Sequence, residues 1–190
     1  MKQTLVVMLK EPRPGRVKSR LGRDIGMTTA AWWFRHQTAA LLRRVTDPRW
    51  QTLLAVSPDA EGLRSRIWPA GLHRIPQGTG SLGDRMARVL RHASPGPLCI
   101  IGADIPLITR AHIARSFALL GRNEVVLGPA PDGGYWLIGL RRNRPPPRGL
   151  FQGVRWSSEH ALQDTLATLG DRRTAFADSL ADVDTVHDLR

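Results

Sequence analysis

The chain has 190 residues, of which 42% are hydrophobic and 23% charged, a composition typical of folded globular proteins and not of disordered ones. Lys and Arg number 28 against 16 Asp and Glu, and the formal charge of +12 favours anionic partners such as nucleotides, sugar phosphates, nucleic acids or membrane surfaces. No apolar run is long enough to span a bilayer, the N-terminus lacks the pattern of a signal peptide, and the single Cys99 excludes an intramolecular disulfide. We therefore expect one domain over residues 1–190 and a cytoplasmic location.

Apolar β-type runs alternate with segments of helical periodicity along the chain. Strands are predicted at residues 4–9, 52–57, 98–102, 124–128, 135–140 and 174–177. Helices are predicted from Thr28 or Thr29 to about residue 46, at 60–68 and 81–93, after Thr109, over 157–170 and after residue 185. Trp32 and Trp33 are expected to pack the first helix against the sheet. This alternation favours a layered α/β fold with a mostly parallel sheet.

The loop after the first predicted strand is the most informative segment. Its basic residues are Lys10, Arg13, Arg16, Lys18 and Arg20, and Pro12, Pro14 and Gly15 shape the chain between them. Proline fixes φ, and glycine lets the backbone approach a ligand closely. A strand that ends in such a loop offers N–H donors and positive charge together, as phosphate sites do. A solvated basic loop is the alternative.

A carboxylate follows the buried strand at residues 98–101, in the sequence GADIP. Because ligands of open α/β sheets bind beyond the carboxyl ends of the strands, Asp104 is well placed to hold Mg²⁺ against phosphates. The alternative is that Asp104 caps a turn or the next helix, but Thr109 is the better cap. Nearer the C-terminus, Asp182 or Asp184 could provide a second metal contact.

The alternative for that C-terminal segment is a purely structural turn in which Thr185 and Asp188 form a capping box.

Two other motifs also allow both a structural and a functional interpretation. The sequence PDGGYW at 131–136 is a hairpin signal in which Asp132 and the two following glycines could also contact a substrate. The sequence GTGSLG at 78–83 matches G-x-G-x-x-G but lacks the full βαβ unit of a dinucleotide site. It places Arg85 on the first turn of a helix, near whatever approaches the loop.

Taken together, these segments resemble the DUF2064 family, a bacterial branch of the GT-A-like nucleotide-diphospho-sugar transferase superfamily. Molybdenum cofactor guanylyltransferase and 2-phospholactate guanylyltransferase are similar relatives. The motifs that carry the resemblance occur in family order over nearly the whole chain: KEPRPGRVKSRLG, GSLGDRM, IGADIPLIT, GPAPDGGYWLIGL, VRWSS and DVDTVHDL. The resemblance implies a three-layer α/β/α sandwich whose mixed, mostly parallel sheet binds a nucleotide at its N-terminal half.

The resemblance also implies roles for individual residues. Asp104 would bind the metal, Mg²⁺ or Mn²⁺, and Asp184 in the D-x-D-T motif would be the second metal-site candidate. The residues expected to bind the nucleotide are Lys10, Gly15, Lys18 and Arg20, from the loop that the resemblance places along the phosphates, together with Arg85, which its place beside the GTGSLG loop favours. The residues expected to line the acceptor side are Asp132, Gly133 and Gly134. Catalysis is assigned to Asp104, Lys18 and Asp132.

The implied reaction is a Mg²⁺-dependent transfer from a nucleotide or nucleotide-sugar donor to a small-molecule acceptor, with GT-A-type glycosyl transfer favoured. Many glycosyltransferases of this fold carry Asp-x-Asp, whereas positions 102–104 read Gly-Ala-Asp, as in the nucleotidyltransferase relatives. Those relatives have a more Gly-rich N-terminal loop. A nucleotidyltransferase that releases pyrophosphate is therefore the alternative. A non-catalytic anion- or nucleic-acid-binding protein is the third hypothesis, disfavoured because aromatic–basic interleaving, helix-turn-helix and zinc signatures are lacking.

Overall fold

The computed structural model describes residues 2–188 of the chain. Seven strands form one sheet in the order β3-β2-β1-β4-β6-β5-β7. The strands are β1 (Gln3–Lys10), β2 (Trp50–Ser57), β3 (His73–Pro76), β4 (Leu98–Gly102), β5 (Val125–Pro129), β6 (Tyr135–Leu140) and β7 (Thr174–Phe176). Neighbouring strands are parallel except around β6, which is antiparallel to β4 and β5. The predicted mixed, mostly parallel sheet is confirmed.

Helices cover both faces of the sheet and make the three layers. They are α1 (Ser19–Ile25), α2 (Met27–Val45), α3 (Asp59–Arg64), α4 (Leu82–His92), α5 (Arg110–Leu120) and α6 (Ala161–Ala167), followed by a 3₁₀ turn at Val186–Asp188. Successive side chains of a strand point to opposite faces. Leu5 and Val7 of β1 accordingly join the core under α2 and α5, whereas Val6 joins the core under α4.

The strand register places the chain segments that carry the predicted site at one edge of the sheet. Lys10 at the end of β1 pairs with Ser57 at the end of β2, and Met8 pairs with Gly102 at the end of β4. Strand β4 is central and its residues Leu98–Ile101 are buried, as in parallel strands that are covered on both faces. The loops after these parallel strands therefore leave the sheet together.

Several local expectations differ from the structure. Helix α1 was not predicted; Gly26, at φ 91°, separates it from α2. The prediction that Trp32 packs against the sheet is wrong, because α2 buries the stripe Ala30, Phe34, Leu41 and Val45 and leaves Trp32 61% exposed. Trp33 does pack against the core. Helix α6 begins at residue 161 and not at 157, where Ser157 has a left-handed φ of 57°.

Two expectations, on Cys99 and Thr109, hold. Cys99 is fully buried, and Thr109 caps α5 by accepting a hydrogen bond from the His112 backbone N–H. No helix among residues 2–188 is long and apolar enough to cross a membrane. The described strands all belong to one sheet, but a single domain over residues 1–190 stays a prediction.

Candidate active site

Three distant parts of the chain meet at one ammonium group. Lys18 Nζ donates hydrogen bonds to Asp104 Oδ2 at 2.6 Å and to Asp184 Oδ1 at 2.8 Å. Arg20 adds a bond from Nη1 to Asp184 Oδ2 at 3.0 Å. Lys18 is 6% exposed, whereas Arg20 is 65% exposed. The sequence predicted these four residues as site members, and the structure brings them together.

Local backbone geometry sets the position of each group. Lys18 is the N-cap of α1 in the left-handed conformation, with φ 46° and ψ 48°, so it lies at the junction between the basic loop and the helix. Asp104 lies two residues beyond the end of β4. Its carbonyl accepts a hydrogen bond from the Val183 N–H at 3.2 Å, which joins the C-terminal segment to the loop after β4.

The C-terminal turn satisfies both interpretations that the sequence left open. Asp188 Oδ2 accepts hydrogen bonds from the backbone N–H groups of Asp184 and Thr185 and from the Thr185 hydroxyl, at 2.7 to 3.0 Å. The capping arrangement is therefore present. It uses the backbone of Asp184, so the Asp184 carboxylate remains available to Lys18 and Arg20.

Asp104, Asp182 and Asp184 form a group in which one carboxylate oxygen from each lies within 4.8 Å of the others. Burial, together with repulsion from Asp104 and Asp184, raises the pKa of Asp182 to about 6 in spite of the opposing effect of Lys18. Burial lowers the pKa of Lys18, but Asp104 and Asp184 outweigh it and the pKa is raised overall. Three carboxylates around one point form a hard oxygen donor set, which suits Mg²⁺ or Mn²⁺.

The other predicted nucleotide residues lie around the same sheet edge in different roles. Arg85 donates to Ser57 Oγ at 3.2 Å, Gln77 Oε1 at 3.4 Å and the Gly80 carbonyl at 3.1 Å, so it braces the loop between β3 and α4. Lys10 is the exposed last residue of β1. Gly15 has φ 74°, and a Cβ there would meet nothing within 4 Å, so this glycine serves the turn.

Sequence reasoning missed the partner of the basic loop. Glu61 on α3 forms ion pairs with Arg13 at 2.8 Å and with Arg16 at 3.5 Å. These exposed pairs contribute little stability, but they hold two of the predicted phosphate-loop cations over α3. A carboxylate from a different element, far along the chain, leaves no local sequence signal.

On the acceptor side, the predicted β5–β6 hairpin is present. Asp132 Oδ1 accepts a hydrogen bond from the Gly134 N–H at 2.9 Å, which shapes the turn. Gly133 has φ 83°, and the Glu159 backbone fills the space that its side chain would need. Asp132 and Gly134 line a cavity of about 240 Å³, and Gly133 is not part of that lining.

The cavity opens beside the carboxylate group, with Asp104 and Asp182 in its wall. Its remaining walls come from β1, α4, β4, β6 and the segment before α6. Trp156 in this segment belongs to the VRWSS motif, but the sequence predicted no role for it. Nothing in the local sequence shows that it would face α4.

Residues 40–158 match the family described as "Uncharacterized protein conserved in bacteria (DUF2064)". The chain belongs to this family. No protein among those with curated functions matches it. Solved structures with the same fold include a candidate nucleotide-diphospho-sugar transferase from Desulfovibrio desulfuricans G20. That structure is 26% identical with a TM-score of 0.86, over 100% of this chain and 85% of the other.

Two more distant structures show the breadth of this fold. The Rv0371c protein of Mycobacterium tuberculosis H37Rv in complex with manganese is 19% identical, with a TM-score of 0.57 over 100% of this chain and 96% of the other. The inositol-1-phosphate CTP transferase from T. maritima is 12% identical, with a TM-score of 0.62 over 100% and 92% of the two chains. This DUF2064 protein therefore has the nucleotide-diphospho-sugar transferase fold, as the resemblance implied.

Proposed function

We propose that this DUF2064 protein is a divalent-metal-dependent transferase that uses a nucleotide-activated donor, with glycosyl transfer as the favoured reaction. The observation that carries the proposal is the contact of Lys18 with Asp104 and Asp184 at the carboxyl edge of the sheet. It unites a cation from the phosphate-type loop with carboxylates suited to a metal. The candidate nucleotide-diphospho-sugar transferase with the same fold supports this assignment.

The donor lies along the loop of residues 11–18 in this proposal. Lys18 and the exposed Arg20 contact its phosphates, because charge-assisted hydrogen bonds to phosphate oxygens are stronger than neutral ones. Arg85 keeps the loop after β3 in place on the other side of the nucleotide through its bonds to Ser57 and Gln77. Lys10 provides further positive charge at the end of β1.

Asp104, Asp182 and Asp184 are the residues that would hold Mg²⁺ or Mn²⁺, since one oxygen of each lies within 4.8 Å of the others. When bound, the ion supplies charge that neutralises the phosphate oxygens of the donor and of the leaving group. Lys18 supplies positive charge at the same place from its bonds to Asp104 and Asp184. Together with the metal ion, Lys18 would stabilise the negative charge that develops on the leaving group during the reaction.

In the glycosyl-transfer reaction, an acceptor hydroxyl attacks the anomeric carbon of the donor sugar. A carbon–oxygen bond to the acceptor forms, the bond to the diphosphate breaks, and the nucleoside diphosphate leaves. Lys18 and Arg20 stabilise the charge on the departing diphosphate. The hydroxyl proton passes to a carboxylate, for which Asp132 in the cavity wall is our candidate.

Nucleotidyl transfer is the second candidate, and it is favoured by the sequence Gly102-Ala103-Asp104, which lacks the Asp-x-Asp of many glycosyltransferases. The inositol-1-phosphate CTP transferase of T. maritima has the same fold. In that reaction an acceptor phosphate attacks the α-phosphorus of a nucleoside triphosphate and pyrophosphate leaves. The leaving group is therefore a nucleoside diphosphate in glycosyl transfer and pyrophosphate in nucleotidyl transfer.

Ligand-induced thermal shifts test the proposal. The protein is screened against nucleoside triphosphates and UDP-, GDP- and dTDP-sugars, each with Mg²⁺, with Mn²⁺ and without metal. A ligand at about 100 times its Kd stabilises by about 2.7 kcal/mol. We expect a metal-dependent shift with at least one donor, and product analysis then separates nucleoside diphosphate from pyrophosphate release. No shift with any donor in the presence of either metal would overturn the transferase assignment.

A further inference from the structure

The cavity beside the carboxylate group has a chemistry that differs from the rest of the protein surface. Its walls are mainly apolar and aromatic, from Met8, Met86, Ile100, Tyr135, Ile138 and Trp156. Its volume of about 240 Å³ is that of a site for a small molecule. Polar groups converge on it from Asp104, Asp132 and Asp182.

The aromatic wall is built by specific packing. A Cβ at Gly83 would lie 2.7 Å from Phe151 Cβ and 2.9 Å from Trp156 Cζ2, so only a glycine on the first turn of α4 lets this wall approach the helix. The Trp156 ring contacts the rings of Tyr135 and Phe151, with centroids 6.3 and 6.0 Å apart. The cavity therefore has a fixed, stacking-competent side.

The charge of the cavity is opposite to the charge of the chain. No Lys or Arg is part of its lining among residues 2–188, although the chain carries 28 Lys and Arg. Arg155 is next to Trp156 in sequence, but its guanidinium bonds Asp164 at 2.8 and 2.9 Å. Lys18 reaches Asp104, and its other partner is Asp184, outside the cavity wall. Lys18 thus offsets part of the charge of Asp104 from outside the lining, whereas no Lys or Arg among residues 2–188 lines the cavity beside Asp132.

We propose that this cavity binds the acceptor of the transfer reaction, and that the acceptor is an uncharged or cationic small molecule with an apolar or aromatic face and hydroxyl or amino donors at one end. The apolar face packs against Met86, Ile138 and Trp156, and the donors point to the aspartates. An acceptor that carries a phosphate or carboxylate is disfavoured, because the charge of Lys18 and of the proposed metal ion is taken up by the carboxylate cluster and the donor phosphates, and no Lys or Arg lines the cavity beside Asp132. This inference rests on the proposed function, and it favours glycosyl transfer over attack by an acceptor phosphate.

The test uses three probes that share a ring and differ in charge: benzyl alcohol, benzylamine and benzyl phosphate. Binding is followed by the indole N–H resonance of Trp156 in ¹⁵N NMR, assigned with Trp156→Phe. We expect saturable shifts with benzyl alcohol and benzylamine, and binding of benzyl phosphate that is at least about tenfold weaker. Equal or tighter binding of benzyl phosphate, or no response of Trp156 to any probe, would overturn the inference.

A matched pair of variants checks that charge in the cavity causes the preference. Leu82 lines the cavity and is 46% exposed, whereas Leu107 is 63% exposed and is not part of the lining. Leu82→Arg should weaken benzylamine binding and strengthen benzyl phosphate binding, and Leu107→Arg should change neither. The same response from both variants would contradict a local origin of the preference.

Nucleotide sugars separate the acceptor from the transferred group. UDP-glucose and GDP-mannose are compared with UDP and GDP in the presence of Mg²⁺ and benzylamine. Displacement of benzylamine by the sugar-bearing forms alone would assign the cavity to the donor sugar and overturn the acceptor assignment. The thermal shifts with nucleotides are measured separately, so a missing nucleotide shift with intact probe binding counts against the proposed function and not against the chemistry of the cavity.

Discussion

Lys18 and Asp184 are 166 positions apart in sequence, and their side chains are joined by a hydrogen bond of 2.8 Å. The same ammonium bonds Asp104, so it links the first loop, the loop after the central strand and the last turn. At 6% exposure the Lys18 side chain has little access to water, so both bonds form in a partly desolvated setting. The candidate metal ligands are therefore positioned by a cation that the chain itself supplies.

Replacement of Lys18 should increase the affinity of the carboxylates for a metal ion. Lys18→Met leaves Asp104 and Asp184 without their shared donor, and we expect the free energy of unfolding to fall by about 1–3 kcal/mol. Mg²⁺ or Mn²⁺ should then raise the melting temperature of the variant more than that of the original protein, because the ammonium no longer competes for the carboxylates. Differential scanning fluorimetry with and without metal measures both effects.

Lys10→Met is the matched control, since Lys10 is an exposed lysine at the end of β1. It should change neither the stability nor the metal response. A Lys18→Met variant with unchanged stability and an unchanged metal response would contradict the role given to the ammonium.

Asp104→Asn should leave the fold intact and remove the metal dependence of nucleotide binding. The amide keeps the shape of the side chain, and the bond from the Val183 N–H uses the backbone carbonyl, which the substitution retains. Isothermal titration with the best nucleotide, with and without Mg²⁺, gives the readout. Asp171→Asn, at a carboxylate that is 86% exposed, is the control and should bind as the original protein does. Equal Mg²⁺-dependent affinity in the Asp104 variant would remove Asp104 from the metal site.

The layered fold, the basic loop and Asp104 could be predicted from sequence because their signals are local, whereas the choice of Lys18, Arg20 and Asp184 came from the family resemblance. A buried apolar run followed by Asp104, and a basic Pro- and Gly-containing loop before Lys18, each mark the end of a strand. The role of Trp156 could not be predicted, since it depends on a glycine of another helix, Gly83. Trp32 was misplaced because hydrophobicity alone does not show which stripe of a helix faces the sheet.

The ion pair between Arg155 and Asp164, next in sequence to the cavity residue Trp156, should weaken in acid. Arg155 donates to Asp164 from its backbone N–H and its guanidinium, and these hydrogen bonds hold the pKa of Asp164 well below its ordinary value. A depressed pKa in the folded state means that the stabilisation is complete above the ordinary carboxyl pKa, near 4, and is lost as the pH falls below it. The difference in stability between the original protein and Asp164→Asn should therefore be largest at neutral pH.

Urea unfolding of both proteins from pH 7 to pH 3 measures that difference. We expect it to shrink steadily below about pH 4. A difference that stays constant down to pH 3 would show that the ion pair does not contribute through the charge of Asp164.

Salt dependence should distinguish nucleotide binding from nucleic-acid binding by this strongly basic chain. A protein that makes 6–10 phosphate contacts to DNA loses roughly 10³–10⁵ in affinity between 50 and 200 mM salt. We expect only weak, salt-sensitive binding to DNA, because Arg13 and Arg16 are paired with Glu61, and Lys18 and Arg20 meet at Asp184. Nucleotide binding should persist at 200 mM salt. Tight DNA or RNA binding at that salt, without any nucleotide-induced thermal shift, would overturn the transferase assignment.

Gly83 is the residue whose replacement most directly tests the packing of the cavity wall. Alanine favours a helix over glycine by about 1 kcal/mol, but here its Cβ would meet Phe151 Cβ at 2.7 Å and Trp156 Cζ2 at 2.9 Å. Overpacking of this kind typically costs about 1–3 kcal/mol, and Phe151 Cβ is tied to the backbone and cannot rotate away. We therefore expect Gly83→Ala to lower the free energy of unfolding and to shift the Trp156 indole resonance.

Gly71→Ala is the control, because a Cβ there meets nothing within 4 Å, and it should be neutral or slightly stabilising. A Gly83→Ala protein that is more stable than the original, with Trp156 unmoved, would mean that the wall can yield and that its shape does not select the ligand.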